Sequence, residues 1–318
     1  MADGLPLLIV TGTTGSGKNR LGAHVARRLG GEVLSLDSMK VYRGMDIGTA
    51  KPSADLMQLA PHHLVDVRDP HEHMDLAMFL DAAEKVVAQV HRRKRPLVVV
   101  GGTAMYLTGL LYGVHGGPPR DDVFRENLRR ERDEHGVRAL HARLAGVDPE
   151  SAARIDPNDY QRIERALELH ALTGRPASEH RRDWFREPRF PFRLYSVTWP
   201  RDVLRARIEE RVDRMMEAGW LDEVRRLMDG SRLGPEASQA LGYRELARFL
   251  EKGSPPLDEV IASIKTRTWH FARRQMTWMR KFEDATRIER KAGDQDDLVA
   301  RLVSEFRPVW AKALAQSM

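Results

Sequence analysis

Lys18 closes the run Gly12, Thr13, Thr14, Gly15, Ser16, Gly17, which follows the apolar segment Leu7-Leu8-Ile9-Val10 and precedes a helix-forming stretch. A strand, a glycine-rich turn and a helix start in that order make a phosphate-binding loop. Its glycines let the backbone come close and aim N–H groups at an anion. The helix N-terminus adds a positive dipole end, and the Lys18 ammonium supplies a point charge for terminal phosphates. Such loops end in Ser or Thr, whose hydroxyl ligates Mg²⁺. Position 19 is Asn, whose amide oxygen is still a ligand for a metal or a metal-bound water.

Asp37 opens the segment Asp37-Ser38-Met39-Lys40, at the end of a second apolar run. There it faces the loop either as a base or metal-shell carboxylate, or as a plain cap or turn former. Gly101-Gly102-Thr103 follows the apolar run Leu97-Val98-Val99-Val100. A nucleotide hydrolase carries an Asp at this place to hold Mg²⁺, so Gly-Gly-Thr argues against an ordinary ATPase or GTPase. Thr103 donates its hydroxyl to a phosphate oxygen, caps the next helix, or does both. Arg207 and Arg211 share a helix face, and either reaches a diphosphate bidentately. Gln161 and Arg165 also lie four apart, either as solvated surface or as a nucleic-acid-facing edge. His62, His63, His71 and His73 lie among acids but without a helical frame, which reads as a polar loop rather than a metal site.

These groups need a frame. Residues 7–11, 32–36, 63–67 and 96–100 read as strands, and 18–29, 76–92 and 104–111 as helices. Alternation of this kind predicts a parallel sheet with helices on both faces and ligands at the carboxyl ends of the strands. The break at Gly116-Gly117-Pro118-Pro119 leads into a polar, arginine-rich helical stretch over 121–180, within which a helix starts at Asp156, with Asp156 as its cap and Pro157 in the first turn. Residues 192–199 return to the sheet after a proline-containing connector at 186–191. Helices are expected over 202–229, 236–251, 257–282 and 294–314. The expectation is therefore an α/β chain: a P-loop-type core from 1–118 and 190–318, ending in helices, with a helical subdomain inserted at 119–189.

The 318 residues suffice for about two domains. Without a cysteine there are no disulfides or thiolate metal sites. No apolar run approaches the ~18 residues that span a membrane, and the N-terminal run lacks a preceding basic region, so a soluble, cytoplasmic chain is expected. Its net charge of +6 fits either a solvated surface or a polyanion partner. Placement favours the partner: the segment from Lys265 to Phe282 holds six Lys or Arg, no acid, and interleaved aromatics. Trp269, Ala272, Met276 and Met279 recur there at helical spacing as a core face.

The ordered set of motifs resembles the bacterial tRNA dimethylallyltransferase (tRNA isopentenyltransferase) family over nearly the whole length. The residues that carry the resemblance run from the loop at Gly12 to Lys18 and Asp37-Ser38-Met39 through Asp46-Ile47-Gly48-Thr49-Ala50-Lys51-Pro52 and Pro61-His62-His63-Leu64-Val65-Asp66. They continue through Gly101-Gly102-Thr103, Asp156-Pro157-Asn158-Asp159 with Gln161-Arg162-Ile163, Leu241-Gly242-Tyr243-Arg244, and Arg273-Arg274-Gln275-Met276-Thr277-Trp278.

The resemblance implies transfer of a dimethylallyl group from dimethylallyl diphosphate to N6 of the adenosine immediately 3′ of the anticodon, in a subset of tRNAs. It implies Mg²⁺ as cofactor, with Asn19 at the metal. The loop Gly12–Asn19 would then cradle a prenyl diphosphate. Asp37 would act as base, and Lys18, Thr103 and Arg211 would stabilise the leaving group. The helical insertion would clasp the anticodon arm. Asp37, Ser38, Met39, Lys40, Thr103, Arg125, Gln161, Arg162, Ile163, Glu164 and Arg165 would contact tRNA. A monomer is expected, because the RNA fills the cleft. Lys40 departs from the family's usual Gln, and a Lys has donors but no acceptor. Competing readings are a small-molecule or nucleotide kinase, which leaves the helical insertion without a role, and a nonenzymatic RNA binder, which leaves Lys18, Asp37 and Thr103 without one.

Overall fold

The computed structural model describes residues 4–113, 120–182, 187–230 and 233–317. The chain runs through β1 (Leu7–Gly12), α1 (Lys18–Leu29), β2 (Glu32–Leu36), α2 (Ala54–Leu59), β3 (His62–His63), α3 (Leu76–Arg92), β4 (Leu97–Gly101) and α4 (Ala104–Tyr112). Helices α5 (Asp122–His135), α6 (Val137–Val147), α7 (Pro149–Ala152), α8 (Tyr160–Thr173) and α9 (Ala177–Arg182) follow. The remainder is β5 (Phe192–Thr198), α10 (Arg201–Glu217), α11 (Trp220–Gly230), α12 (Tyr243–Lys252), α13 (Leu257–Met279), β6 (Thr286–Glu289) and α14 (Gln295–Gln316).

Two compact units result: Met1–Leu110 with Arg189–Met318, and Leu111–Pro188. The first is built on a parallel sheet in the order β3-β2-β4-β1-β5-β6. Every residue of β1, β2 and β4 is buried, as a parallel sheet covered on both faces requires. Leu8, Val10, Val98 and Val100 pack with Leu21 and Val25 of α1 and with Leu302 and Phe306 of α14. Leu7 and Ile9 alternate to the other face and are equally buried. Helix α3 packs on β2 and β4, and α13 on β1. The second unit has its own core of Leu128, Leu140, Leu144, Ile163 and Leu167. No helix among the described residues is long and apolar enough to cross a membrane.

The structure amends several sequence expectations. The third strand is confined to His62–His63, because Leu64 and Asp66 adopt φ of +58° and +56°, outside the strand region. The helix expected over 202–229 is two helices, broken where Gly219 turns at φ +90°. A 3₁₀ turn, Ala237–Gln239, precedes α12. The cap of α8 is Asp159, not Asp156: Asp159 accepts from the Arg162 N–H at 3.3 Å, while Asp156 accepts from the Asn158 N–H in the preceding turn. The break at residues 116–119, with the expected domain boundary at 118, lies outside the described residues, as does residue 186 of the connector.

Candidate active site

Three strand ends converge because their strands are neighbours in register. Thr11 of β1 pairs with Gly101 of β4, and Gly101 pairs with Leu36 of β2. The loop after β1, Asp37 after β2, and Gly102 and Thr103 after β4 therefore meet. Thr14, Lys18, Asn19, Asp37, Ser38, Met39, Lys40, Thr103 and Arg211 line one cavity of about 600 Å³. Thr13 and Ser16 do not line it. Both are buried, and their hydroxyls lack partners among the described residues. Helix α10 delivers Arg211, whose Nη1 donates to Thr14 Oγ1 at 3.2 Å. Asp37 Oδ1 accepts from the Met39 N–H at 3.0 Å, and Oδ2 lies 3.9 Å from Lys40 Nζ. The turn-forming reading of Asp37 and its place in the cavity are thus both realised.

The charge in this cavity is unbalanced. Burial, reinforced by the Lys40 charge, pushes the Lys18 ammonium down to about 7, against the opposing pull of Asp37. Burial lowers Lys40 and Arg211 too, again opposed by Asp37. Three desolvated cations thus share one carboxylate. A cluster of this kind has the electrostatics of an anion site.

Side chains distant in sequence hold the cavity's shape. Gln275 of α13 accepts from the Thr14 N–H at 2.7 Å and donates to the Gly102 carbonyl at 2.9 Å, tying the phosphate loop to the β4 turn. Glu223 of α11 accepts from the N–H groups of Asp46 and Ile47 at 3.0 and 2.9 Å. Tyr243 donates to Glu223 Oε1 at 2.5 Å and accepts from the Gly48 N–H at 3.1 Å. This fixes the loop beside an apolar stretch of lining formed by Val212, Met215, Trp220 and Leu241. Sequence reasoning assigned no role to Gln275, Glu223, Trp220 or Tyr243; the only signal was that Gln275 and Tyr243 fall within quoted motifs.

A second cavity of about 1130 Å³ shares Ser38, Gly102, Thr103, Phe271 and Arg274 with the first. Its lining adds Met105, Arg273, Trp278 and Arg280. Phe271 is 39% exposed, a large aromatic available to a planar partner. Trp269, Ala272 and Met279 of α13 are core, as the spacing predicted, whereas Met276 is only half-buried and lines the second cavity; the arginines lie on the other side of the helix. The histidines serve locally: His62 Nδ1 meets the Ala60 carbonyl at 2.8 Å, His63 pairs with Glu32 at 2.6 Å, and His73 with Glu236 at 2.7 Å. Among the described residues no three groups cluster as a metal site.

Within the helical unit the candidate RNA contacts divide. Gln161 and Arg162 are exposed. Ile163 is fully buried in the unit's core, and Glu164 is buried as well, so neither offers a surface. Arg125 is a strut rather than a free cation: its Nε and Nη2 donate bidentately to Glu168 at 2.8 Å each, with Glu164 3.4 Å away. Arg165 donates to the same carboxylate at 2.5 Å.

A family model described as IPP transferase matches residues 40–282. The chain is 44% identical to a tRNA dimethylallyltransferase of Symbiobacterium thermophilum, covering 96% of this chain and 97% of that one. It is 44% identical to one of Syntrophobacter fumaroxidans, covering 95% and 88%. Among solved structures it resembles a tRNA isopentenylpyrophosphate transferase of Bacillus halodurans (TM-score 0.72, 37% identity, 98% and 99% covered). It also resembles a eukaryotic dimethylallyltransferase acting on tRNA (TM-score 0.78, 26% identity, 95% and 79% covered).

Proposed function

The chain belongs to the IPP transferase family, and on that premise we propose how its residues divide the work. It is a tRNA-modifying enzyme: it transfers a dimethylallyl group from dimethylallyl diphosphate to N6 of the adenosine immediately 3′ of the anticodon in a subset of tRNAs, releasing diphosphate. The relatives support this over phosphoryl transfer by a kinase. The observation that carries the assignment within this chain is the cavity in which Lys18, Lys40 and Arg211 face a single carboxylate, beside an apolar lining. Such a cavity fits a molecule with a diphosphate at one end and a short hydrocarbon at the other.

The diphosphate lies on the loop Gly12–Asn19, against Lys18 and Arg211. The adenosine is swung out of its stack at a cost of about a few kcal/mol and enters from the second cavity. Ser38, Thr103 and Phe271 stand where the two cavities share walls. The N6 nitrogen attacks the allylic carbon as the carbon–oxygen bond to diphosphate breaks, and Asp37 accepts the N6 proton. The Thr103 hydroxyl, which has no partner among the described residues, donates to the departing oxygen, while Lys18 and Arg211 hold the charge that develops there. Lys40 braces Asp37 and meets the base. Gln161 and Arg162 contact the anticodon arm from the helical unit.

Mg²⁺ suits the donors present, because a hard cation takes oxygen ligands. Asn19 turns its Nδ2 toward the Ala50 carbonyl at 3.5 Å, which leaves Oδ1 for the cavity, and the Asp37 carboxylate lines the same space. When bound, the ion neutralises diphosphate charge. Asn19→Thr shifts the Mg²⁺ titration of turnover, and superimposable curves would remove Asn19 from the metal. The enzyme acts as a cytoplasmic monomer, with the RNA itself as its large partner.

The deciding experiment offers labelled dimethylallyl diphosphate, Mg²⁺ and unmodified tRNA to the wild type and to Asp37→Ala. Label at N6 of one adenosine, nearly absent with Asp37→Ala, is expected. Phosphate transfer from ATP without any label in RNA would overturn the assignment.

A further inference from the structure

The phosphate loop is held from behind by three side chains that the mechanism above does not use. Trp199, at the exit of β5, carries two guanidinium groups on its ring: that of Arg207 at 4.5 Å from the centroid and that of Arg290 at 5.5 Å. Each arginine also donates to the loop. Arg207 Nε reaches the Gly15 carbonyl at 3.3 Å, and Arg290 Nη1 reaches the Ser16 carbonyl at 3.3 Å. Consecutive carbonyls are thus each capped by an arginine, and both arginines lean on one indole.

Arg290 is itself fixed. It is only 6% exposed, and it bonds Asp294 Oδ1 through Nε and Nη2 at 3.1 and 2.6 Å and Gln295 at 2.9 Å. Gly17 lies directly against it: a Cβ there would stand 2.7 Å from Arg290 Nη1, and Gly17 has φ of +84°. None of the three side chains lines the donor cavity, and only Trp199 of the three lines the second one.

The consequence follows from peptide geometry. A trans peptide is planar, and its C=O and N–H point opposite ways. An arginine that anchors the Ser16 carbonyl therefore turns the Gly17 N–H away from itself, at the N-terminus of α1 where backbone N–H groups receive anions. We propose that Arg207, Arg290 and Trp199 form a brace that presets the curvature of Gly15–Lys18. Arg290 and Trp199 are then positioning residues for the prenyl diphosphate, which they never touch. The proposal rests on the reading of this loop as the diphosphate site.

The test measures calorimetric binding of inorganic pyrophosphate without tRNA, alongside KM for each substrate and the urea midpoint. Arg290→Ala weakens pyrophosphate binding and raises the donor KM by about tenfold or more with tRNA KM held, while the urea midpoint falls because Asp294, Gln295 and the Ser16 carbonyl lose this partner. Trp199→Leu weakens pyrophosphate binding alike, its tRNA KM carrying no weight because Trp199 also lines the second cavity, while Trp199→Phe, which keeps an aromatic face, restores pyrophosphate affinity. Should Arg290→Ala not fold, the Trp199 pair decides alone. Wild-type affinity in both Arg290→Ala and Trp199→Leu overturns the brace. So does a loss in Arg290→Ala matched by an equal fall in tRNA affinity, with Trp199→Leu binding pyrophosphate normally. If the wild type binds pyrophosphate but transfers no label to tRNA, the functional reading fails, and the brace is judged on affinity alone.

Discussion

In the helical unit, Arg125 and Arg165 converge on Glu168, a fully buried carboxylate that takes a bond from each. In the α/β unit, Lys18, Lys40 and Arg211 converge on a cavity lined by one acid, Asp37, which among the described residues lies within ion-pair distance only of Lys40, at 3.9 Å. Both regions gather cations, the first from neighbouring helices of one unit and the second from three segments distant in sequence. The first is paired within the fold and holds helices together. The second is short of counter-charge, and a buried cation without its anion is costly unless a ligand supplies one. The number of arginines in a segment therefore says little about binding; what matters is whether the fold has already paired them.

Removing the shared acid of the first cluster should have the largest effect. Glu168→Ala removes the acceptor shared by Arg125, Arg165 and the Asp121 N–H, leaving Arg125 with Glu164 at 3.4 Å, and should cost about 3 kcal/mol, read as a lower urea midpoint. Burial alone would raise the Glu168 carboxyl, but the bonds from Arg125 and Arg165 outweigh it and hold it at about 2. A depressed carboxyl contributes stability that is present above its unfolded value and lost as pH falls through the folded one. Wild type should thus lose stability between about 4.5 and 2, and Glu168→Gln should lack that slope. An unchanged midpoint in Glu168→Ala would mean the cluster is not a strut.

Lys18→Met tests the other side. Loss of a charge-assisted bond to the donor should weaken its binding by about 1.5–3 kcal/mol, with little loss of fold stability. The free enzyme should even gain stability at neutral pH, because the lowered Lys18 pKa marks a charge the fold disfavours. The sign follows from that shift: the stabilising contribution of Lys18 is complete above 10.5, shrinks as pH falls, and is gone below about 7. Unfolding from pH 7 to 10 in the absence of ligand should show stability rising in wild type and flat through this interval in Lys18→Met. Donor binding near pH 8 should take up a proton in wild type only, which calorimetry in two buffers reads directly.

Gln275→Leu should cost about 1–3 kcal/mol, since the Thr14 N–H and the Gly102 carbonyl lose their partner, and donor KM should rise with it. A donor KM equal to wild type would show that the tie between the two turns is dispensable. The smallest effect is expected at Arg205, which pairs with Glu209 on the exposed face of α10 at 3.0 Å. Arg205→Ala should change stability by no more than about 0.5 kcal/mol. A larger change would blur the distinction drawn between paired and unpaired arginines.

The local parts of this design were legible in the sequence. Lys18, Asp37 and Thr103 each follow a run of aliphatic residues, and strand, turn and helix start are written within a dozen residues. Helices α1 and α3 are also local in origin: their apolar spacing is visible, and Asp75 caps α3 by accepting from the Met78 N–H at 2.8 Å. What stayed hidden is long-range. Gln275 bonds Thr14 across 261 positions, Glu223 bonds Asp46 across 177, and Arg290 bonds Ser16 across 274. No periodicity encodes such pairs. Strand β6 was missed because only Ile288 of its four residues is buried, so it shows no alternation. Ile163 and Arg125 were read as surface because a motif does not say which way a side chain faces.

The position of β1 also bears on biosynthesis. It pairs on one side with β4 and on the other with β5, which the chain reaches only after the whole helical unit. At roughly 5–20 residues per second, β4 follows β1 off the ribosome within roughly 5–20 s, while β5 takes on the order of 10–40 s. For that interval the strand leading into the phosphate loop is an open edge, the kind of surface that recruits stray strands. Gln275 and Arg290 emerge later still. A nascent chain stalled before them would display the loop without its supports, so the loop takes its braced shape only after Gln275 and Arg290 have been made.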